Sequence, residues 1–195
     1  MIKISLVGDI GSGKTYISRL FRAPCFSADI EVKKLYKNDR KCFRKLKKKF
    51  PSFIKTFPIK KFEMSNVIKN KNSDLKKIGQ IVHPFIRKKL NVFLKRNKKE
   101  EIVVLDIPLY LENKMYSKND IIIFLKTKKK DVDKRLKKRK NFNQKILYIL
   151  RKSQLSLKQK LNKSDYVLVN DYNSVIMKKK IKLLKKEILN DRSST

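Results

Sequence analysis

Lys14 and Thr15 end the stretch Gly8-Asp9-Ile10-Gly11-Ser12-Gly13-Lys14-Thr15, which meets the pattern G-x-x-x-x-G-K-[ST] at every required position. The chemistry this spacing serves is phosphate binding. Glycines let the backbone curl so that successive N–H groups, here over Gly8, Gly11, Ser12, Gly13 and Lys14, point at phosphate oxygens, and a helix opening at Lys14 adds the positive end of its dipole. Lys14 is expected to reach the β and γ phosphates of a nucleoside triphosphate, and Thr15 to hold magnesium. The chain has 4 Gly in 195 residues, and three of them, Gly8, Gly11 and Gly13, fall within the six positions 8–13. An ordinary glycine turn between a strand and a helix is the plainer alternative. Other groups able to do chemistry are the carboxylates Asp29, Asp106 and Glu112, the arginines Arg135 and Arg139, and the single histidine, His83.

The elements that must position these groups follow from periodicity. Residues 2–7 form an apolar run suited to a buried parallel strand, followed by the loop and a helix over Lys14 to about Arg22. A short strand, 24–28, brings Asp29 to its carboxyl end, the edge where open α/β sheets hold ligands. From Ile30 to about Arg96 the pattern is helical and basic, punctuated by Pro51, Pro58 and Pro84. Ile78, Ile81, Val82, Phe85, Ile86 and Leu90 repeat at helical spacing around His83-Pro84. This is too long for a crossover helix and reads as a helical insertion able to cover a second substrate, with a solvated structural lobe as the alternative. Residues 101–106 and 121–125 are further buried strands, separated by a turn that includes Pro108, Leu109 and Glu112. A charged helix over Asp131 to Lys140 sets Arg135 and Arg139 four apart on one face. A second helical stretch, 144–162, a last strand, 165–170, and an amphipathic helix, 174–189, close the chain. Asn170 ends the last strand, where a residue of this type can simply turn the chain.

Composition narrows the function classes. Lys plus Arg number 53 against 17 Asp plus Glu, a formal net charge of +36. Such a surface attracts polyanions, nucleotides included. The lysines are spread along the chain, however, and the wealth of Lys, Asn and Ile with only two alanines also fits compositional drift. Cys25 and Cys42 show no metal-ligand or disulfide spacing, which suits a reducing cytoplasm. The apolar runs are too short and too interrupted to span a bilayer, so no membrane partner is expected.

Several motifs in order carry a resemblance: Gly8 to Thr15, then Ser27-Ala28-Asp29, Ile81-Val82-His83-Pro84-Phe85-Ile86, Leu105-Asp106-Ile107-Pro108-Leu109-Tyr110-Leu111-Glu112-Asn113, Arg135-x-x-x-Arg139, Gln154, and Ser164-Asp165-Tyr166-Val167-Leu168-Val169-Asn170. Together they resemble the dephospho-coenzyme A kinase family over nearly the full length. The resemblance implies an α/β, three-layer P-loop kinase fold with a mostly parallel sheet. It gives one domain: a core over 1–29, 100–127 and 164–190, a helical substrate-binding insertion over about 30–96, and a helical lid over about 130–163. It also implies transfer of the γ-phosphate of ATP, with Mg2+, to the ribose 3′-hydroxyl of dephospho-coenzyme A. Lys14, Asp29, Arg135 and Arg139 are then the catalytic residues, and Asn170 joins the loop in binding the nucleotide. Asp29, His83, Pro108, Leu109 and Glu112 face the acceptor.

Plainer readings stand beside these roles. Asp29 can cap a helix, Asp106 and Glu112 can serve the fold, His83 can be a structural residue at a helix bend, and the two arginines can belong to a solvated basic helix. The chain departs from the family pattern at Ser27, where an aspartate is usual, at Lys61, where arginine is frequent, and at Lys140, where an acid is usual. The same architecture admits another small-molecule P-loop kinase, such as one acting on a nucleoside monophosphate. A nucleic-acid-binding P-loop NTPase is allowed by the charge, but no RNA-binding motif or aromatic platform supports it.

Overall fold

The computed structural model describes residues 1–70, 72–139 and 142–193. The described strands are β1 (Ile2–Gly8), β2 (Cys25–Ser27), β3 (Ile102–Asp106), β4 (Asp120–Lys126) and β5 (Tyr166–Val169), and they form one sheet in the order β2-β3-β1-β4-β5. β1 pairs in parallel with β3 on one side and β4 on the other, in the registers Ile4↔Val104 and Ile4↔Ile121, and β4 pairs in parallel with β5. Both faces of the inner strands are covered, which is why β3 and β4 read as nearly unbroken hydrophobic runs, whereas β1 carries Lys3 and the buried Ser5 among its apolar residues. Ile4, Leu6, Ile123 and Leu125 turn to one face and pack with Ile17 of α1 (Lys14–Leu20), with Phe21 just after it, and with Met177, Ile181 and Ile188 of α9 (Ser174–Ser193). Val7, Ile122 and Phe124 turn to the other face, beside Leu111.

The chain divides into two compact units, one of residues 1–26, 97–142 and 154–195 and one of residues 27–96 and 143–153. The second is helical: α2 (Ala28–Asn38), α3 (Arg40–Lys49), α4 (Lys61–Asn70), α5 (Asn72–Arg96) and α7 (Gln144–Lys152). α5 packs against α2, α3 and α4, and α7 packs on α4. Ile78, Val82, Ile86 and Leu90, spaced by one turn, are the buried stripe of α5. The loop between α3 and α4 is held by Glu63, a 2 % exposed carboxylate. It accepts the N–H groups of Lys55 at 2.8 Å, Thr56 at 3.0 Å and Lys60 at 2.8 Å, and the Thr56 hydroxyl at 2.9 Å. Burial alone would raise its carboxyl pKa; these donors outweigh burial and hold it below the ordinary value.

Two expected helices are shorter than their charge pattern suggested. α6 covers Lys129–Lys137 and stops before Arg139, and Lys140 lies outside the described residues. The next apolar residue after Leu136 is Phe142, beyond the helix end and 37 % exposed, so no buried apolar face extends α6 toward Arg139. The stretch 144–162 is two helices, α7 and α8 (Leu157–Leu161), because Ser156 and Gln159 form a capping box that starts a new helix.

Candidate functional site

The phosphate loop leaves the end of β1, the central strand, between its parallel neighbours β3 and β4. Two glycines are there for specific reasons. Gly8 lies so close to β4 that a Cβ would stand 2.8 Å from the Leu125 carbonyl oxygen. Gly13, with φ +97°, is left-handed, and a Cβ on it would meet the Asn170 side-chain nitrogen at 2.8 Å. Between them, at Gly11, α6 comes close, with Leu136 at 3.0 Å from an added Cβ. The loop therefore fits its surroundings on three sides.

Its side chains divide into those used by the fold and those available for a ligand. Lys14 Nζ donates to the Asp9 carbonyl at 2.7 Å and the Gly8 carbonyl at 3.2 Å. Thr15 Oγ1 donates to Asp106 Oδ2 at 2.7 Å, joining the loop to the end of β3. Ser12 is fully buried, and its hydroxyl has no hydrogen-bond partner among the described residues.

Asn170, just after β5, is 3 % exposed. Its amide nitrogen donates to the Ser12 carbonyl at 2.8 Å, and its oxygen accepts the Tyr172 N–H at 2.9 Å. Its polar atoms thus secure the loop and the following turn. Tyr172, itself at φ 63°, donates its hydroxyl to the Gly11 carbonyl at 3.3 Å. The Arg135 guanidinium stacks over its ring at 4.3 Å, a cation–π contact. Burial raises the Tyr172 phenol above its ordinary pKa, against the opposing pull of Arg135.

Arg135 and Arg139 do not share a helix face as the spacing suggested. Arg135 is on α6 and exposed; Arg139 is beyond the helix end, exposed, with its N–H on the Leu136 carbonyl at 3.1 Å. Pro108 and Leu109 follow β3 in a turn closed by the Asn113 N–H on the Leu109 carbonyl at 3.0 Å. Glu112 accepts the Leu155 N–H at 2.9 Å and pairs with Lys160 at 3.3 Å. Lys160, on α8, is 2 % exposed, and its Nζ also donates to Gln154 Oε1 at 2.6 Å and to the Gly8 carbonyl at 3.4 Å. Neither Lys160 nor Tyr172 stood out in the sequence; a lysine among so many and a tyrosine in a polar turn carry no local signal.

In the helical unit, Asp29 is exposed in the first turn of α2, whose N-cap is Ser27. Asp29 is therefore inside the helix start and is not its cap. α5 runs through Pro84. His83 packs over Gly79, where a Cβ would stand 3.0 Å from its ring. Gln80, His83, Pro84, Arg87, Lys88 and Asn91 line an open cavity of about 530 Å³ along one side of α5. Burial, then the neighbouring Arg87 charge, lowers the His83 pKa below 6.5.

Among the described residues no cluster of three or more His, Cys, Asp or Glu could hold a metal unaided. A magnesium ion does not require one, since it keeps several waters and takes phosphate oxygens beside one or two protein oxygens. The adjoining oxygens of Thr15 and Asp106 fit that demand.

A family model described as dephospho-CoA kinase matches residues 2–175. The dephospho-CoA kinase of Wolbachia pipientis wMel is 31% identical over 170 residues, covering 85% of this chain and 87% of that protein. That of Bacillus cereus strain ATCC 10987 is 29% identical over 189 residues, covering 93% and 94%. Among solved structures, a Thermus thermophilus protein superposes with a TM-score of 0.76 at 21% identity, covering 97% of each chain. Dephospho-CoA kinase from Campylobacter jejuni superposes with a TM-score of 0.66 at 20% identity, covering 97% of this chain and 98% of its own. At those identities the two structures establish the fold, an α/β P-loop architecture. No described helix is long and apolar enough to cross a membrane.

Proposed function

This chain belongs to the dephospho-CoA kinase family, and from that premise we propose that it transfers the γ-phosphate of ATP to the ribose 3′-hydroxyl of dephospho-CoA, giving CoA and ADP. The observation that carries the reading is the complete phosphate loop at the central strand, with Thr15 hydrogen-bonded to Asp106 at 2.7 Å. The bond from the γ-phosphorus to the bridging oxygen breaks as the bond to the 3′-oxygen forms, and the hydroxyl proton passes to a base. Such transfer requires mainly positioning and electrostatic stabilisation. The loop N–H groups and Lys14 hold the phosphates; Thr15 and Asp106 would hold magnesium, which neutralises phosphate charge when bound. Asp29 is the proposed base or anchor of the acceptor hydroxyl. Arg135 and Arg139, both exposed cations, serve the proposed lid over about 130–163 and offset charge in transfer. The insertion over about 30–96 is the proposed acceptor side, with His83 in it and Pro108 and Leu109 after β3 as proposed acceptor contacts. Asn170 and Glu112 serve the site through the loop and through Lys160. Cys25 and Cys42 are free thiols, which suits a cytoplasmic setting.

Purified protein with magnesium and ATP should release ADP on addition of dephospho-CoA, with the new phosphate on the 3′-oxygen. Asp29→Asn should lower turnover about a hundredfold with ATP binding retained. Faster turnover of a nucleoside monophosphate would replace this reading with another small-molecule kinase.

A further inference from the structure

Two ammonium groups converge on one carbonyl at the root of the phosphate loop. Gly8 O accepts from Lys14 at 3.2 Å and from Lys160 at 3.4 Å. The two lysines differ in freedom. Lys160 is 2 % exposed and fixed by Gln154 at 2.6 Å and Glu112 at 3.3 Å. Lys14, next to Thr15 at the loop's end, carries the group that the proposed reaction needs on the phosphates. When Lys14 moves to a phosphate oxygen it gives up its bonds to the loop carbonyls, and a buried acceptor that loses a charged donor is costly. Lys160 keeps a donor on Gly8 O through that exchange.

We propose that Lys160 is a positioning residue of the phosphate loop, which retains the Gly8 carbonyl and thereby frees Lys14 to bind nucleotide phosphate. A planar peptide explains why this matters: fixing the direction of the Gly8 C=O fixes that of the Asp9 N–H opposite to it. Lys160 is anchored through Gln154 and Glu112 to the segments after α7 and after β3, so the loop's entry is tied to both. The inference rests on Lys14 being the phosphate-binding lysine.

Binding of a non-hydrolysable ATP analogue, measured by titration calorimetry without any acceptor, tests it through a double-mutant cycle of Lys14→Ala and Lys160→Met. In the wild-type background Lys160→Met should weaken binding about tenfold, the equivalent of losing one charge-assisted donor on the bound state. In the Lys14→Ala background the same change should alter affinity less than about twofold, because Gly8 O then lacks the Lys14 donor in the free and the bound state alike. In turnover, Lys160→Met should raise KM for ATP and leave kcat nearly unchanged. An equal loss in both backgrounds, or none in the wild type, overturns the proposal. If Lys160→Met does not fold, the cycle is run with Glu112→Gln in every member, which removes the partner charge that a methionine would strand. Should Lys14→Ala itself leave affinity unchanged, the assignment of the loop fails as well, whereas a deficit in Lys14→Ala alone rejects only the role of Lys160.

Discussion

Gly13→Ala perturbs two things at once, and the structure allows them to be separated. Gly13 has φ +97°, and its added Cβ would stand 2.8 Å from Asn170 Nδ2. Holding alanine in a left-handed conformation costs about 1–2 kcal/mol. Moving Asn170 aside loses its bonds to the Ser12 carbonyl and the Tyr172 N–H, about a further 1–2 kcal/mol. The native loop is then disfavoured by about 2–4 kcal/mol, a loss of roughly 30- to 1000-fold in affinity for an ATP analogue if the loop must be native to bind. Asn170→Ala removes the same two bonds and should cost about 1–2 kcal/mol alone. In the double variant the collision is gone and only the backbone strain and the missing amide remain, so it should bind no more weakly than Gly13→Ala. The coupling is thus about 1–2 kcal/mol, measurable by calorimetry. Losses that simply add would refute the argument that the glycine is required by the nearness of Asn170.

Thr15→Val keeps the side-chain shape but removes the hydroxyl that donates to Asp106 at 2.7 Å. ATP turnover should fall at least about tenfold and the magnesium concentration for half-maximal rate should rise, while the melting temperature shifts by only a few degrees; an unchanged magnesium dependence would count against Thr15 and Asp106 as its holders. Glu63 should make the helical unit sensitive to acid. Its folded carboxyl pKa is depressed from 4.5, so its contribution is complete above that value and is lost as pH falls through the lower folded value. Thermal denaturation between about pH 5 and pH 3 should therefore show a steeper loss in the wild type than in Glu63→Gln, which is less stable at neutral pH by about 1–3 kcal/mol. Parallel curves would reject this.

Local patterns determined a great deal. The glycine spacing identified the loop, and the apolar runs at β3 and β4, with the apolar-rich β1, identified strands covered on both faces. The stripe from Ile78 to Leu90 identified α5. These features are legible because each follows from the period of one element. Helix ends were less legible: α6 stops at Lys137, short of Arg139, and one short capping box divided 144–162 in two.

What only the tertiary structure decided are the contacts that complete the loop. Thr15 meets Asp106 across 91 residues, Lys160 meets Gly8 across 152, and Asn170 meets Ser12 across 158. Each joins a side chain to a partner brought near by the strand order β3-β1-β4-β5, and side-chain or carbonyl partnership at that separation leaves no periodicity to read. In a chain with 53 Lys and Arg, residue type could not distinguish the lysine under the loop from those in solvent. Burial against Glu112, Gln154 and a loop carbonyl distinguishes it, and burial is a property of the fold.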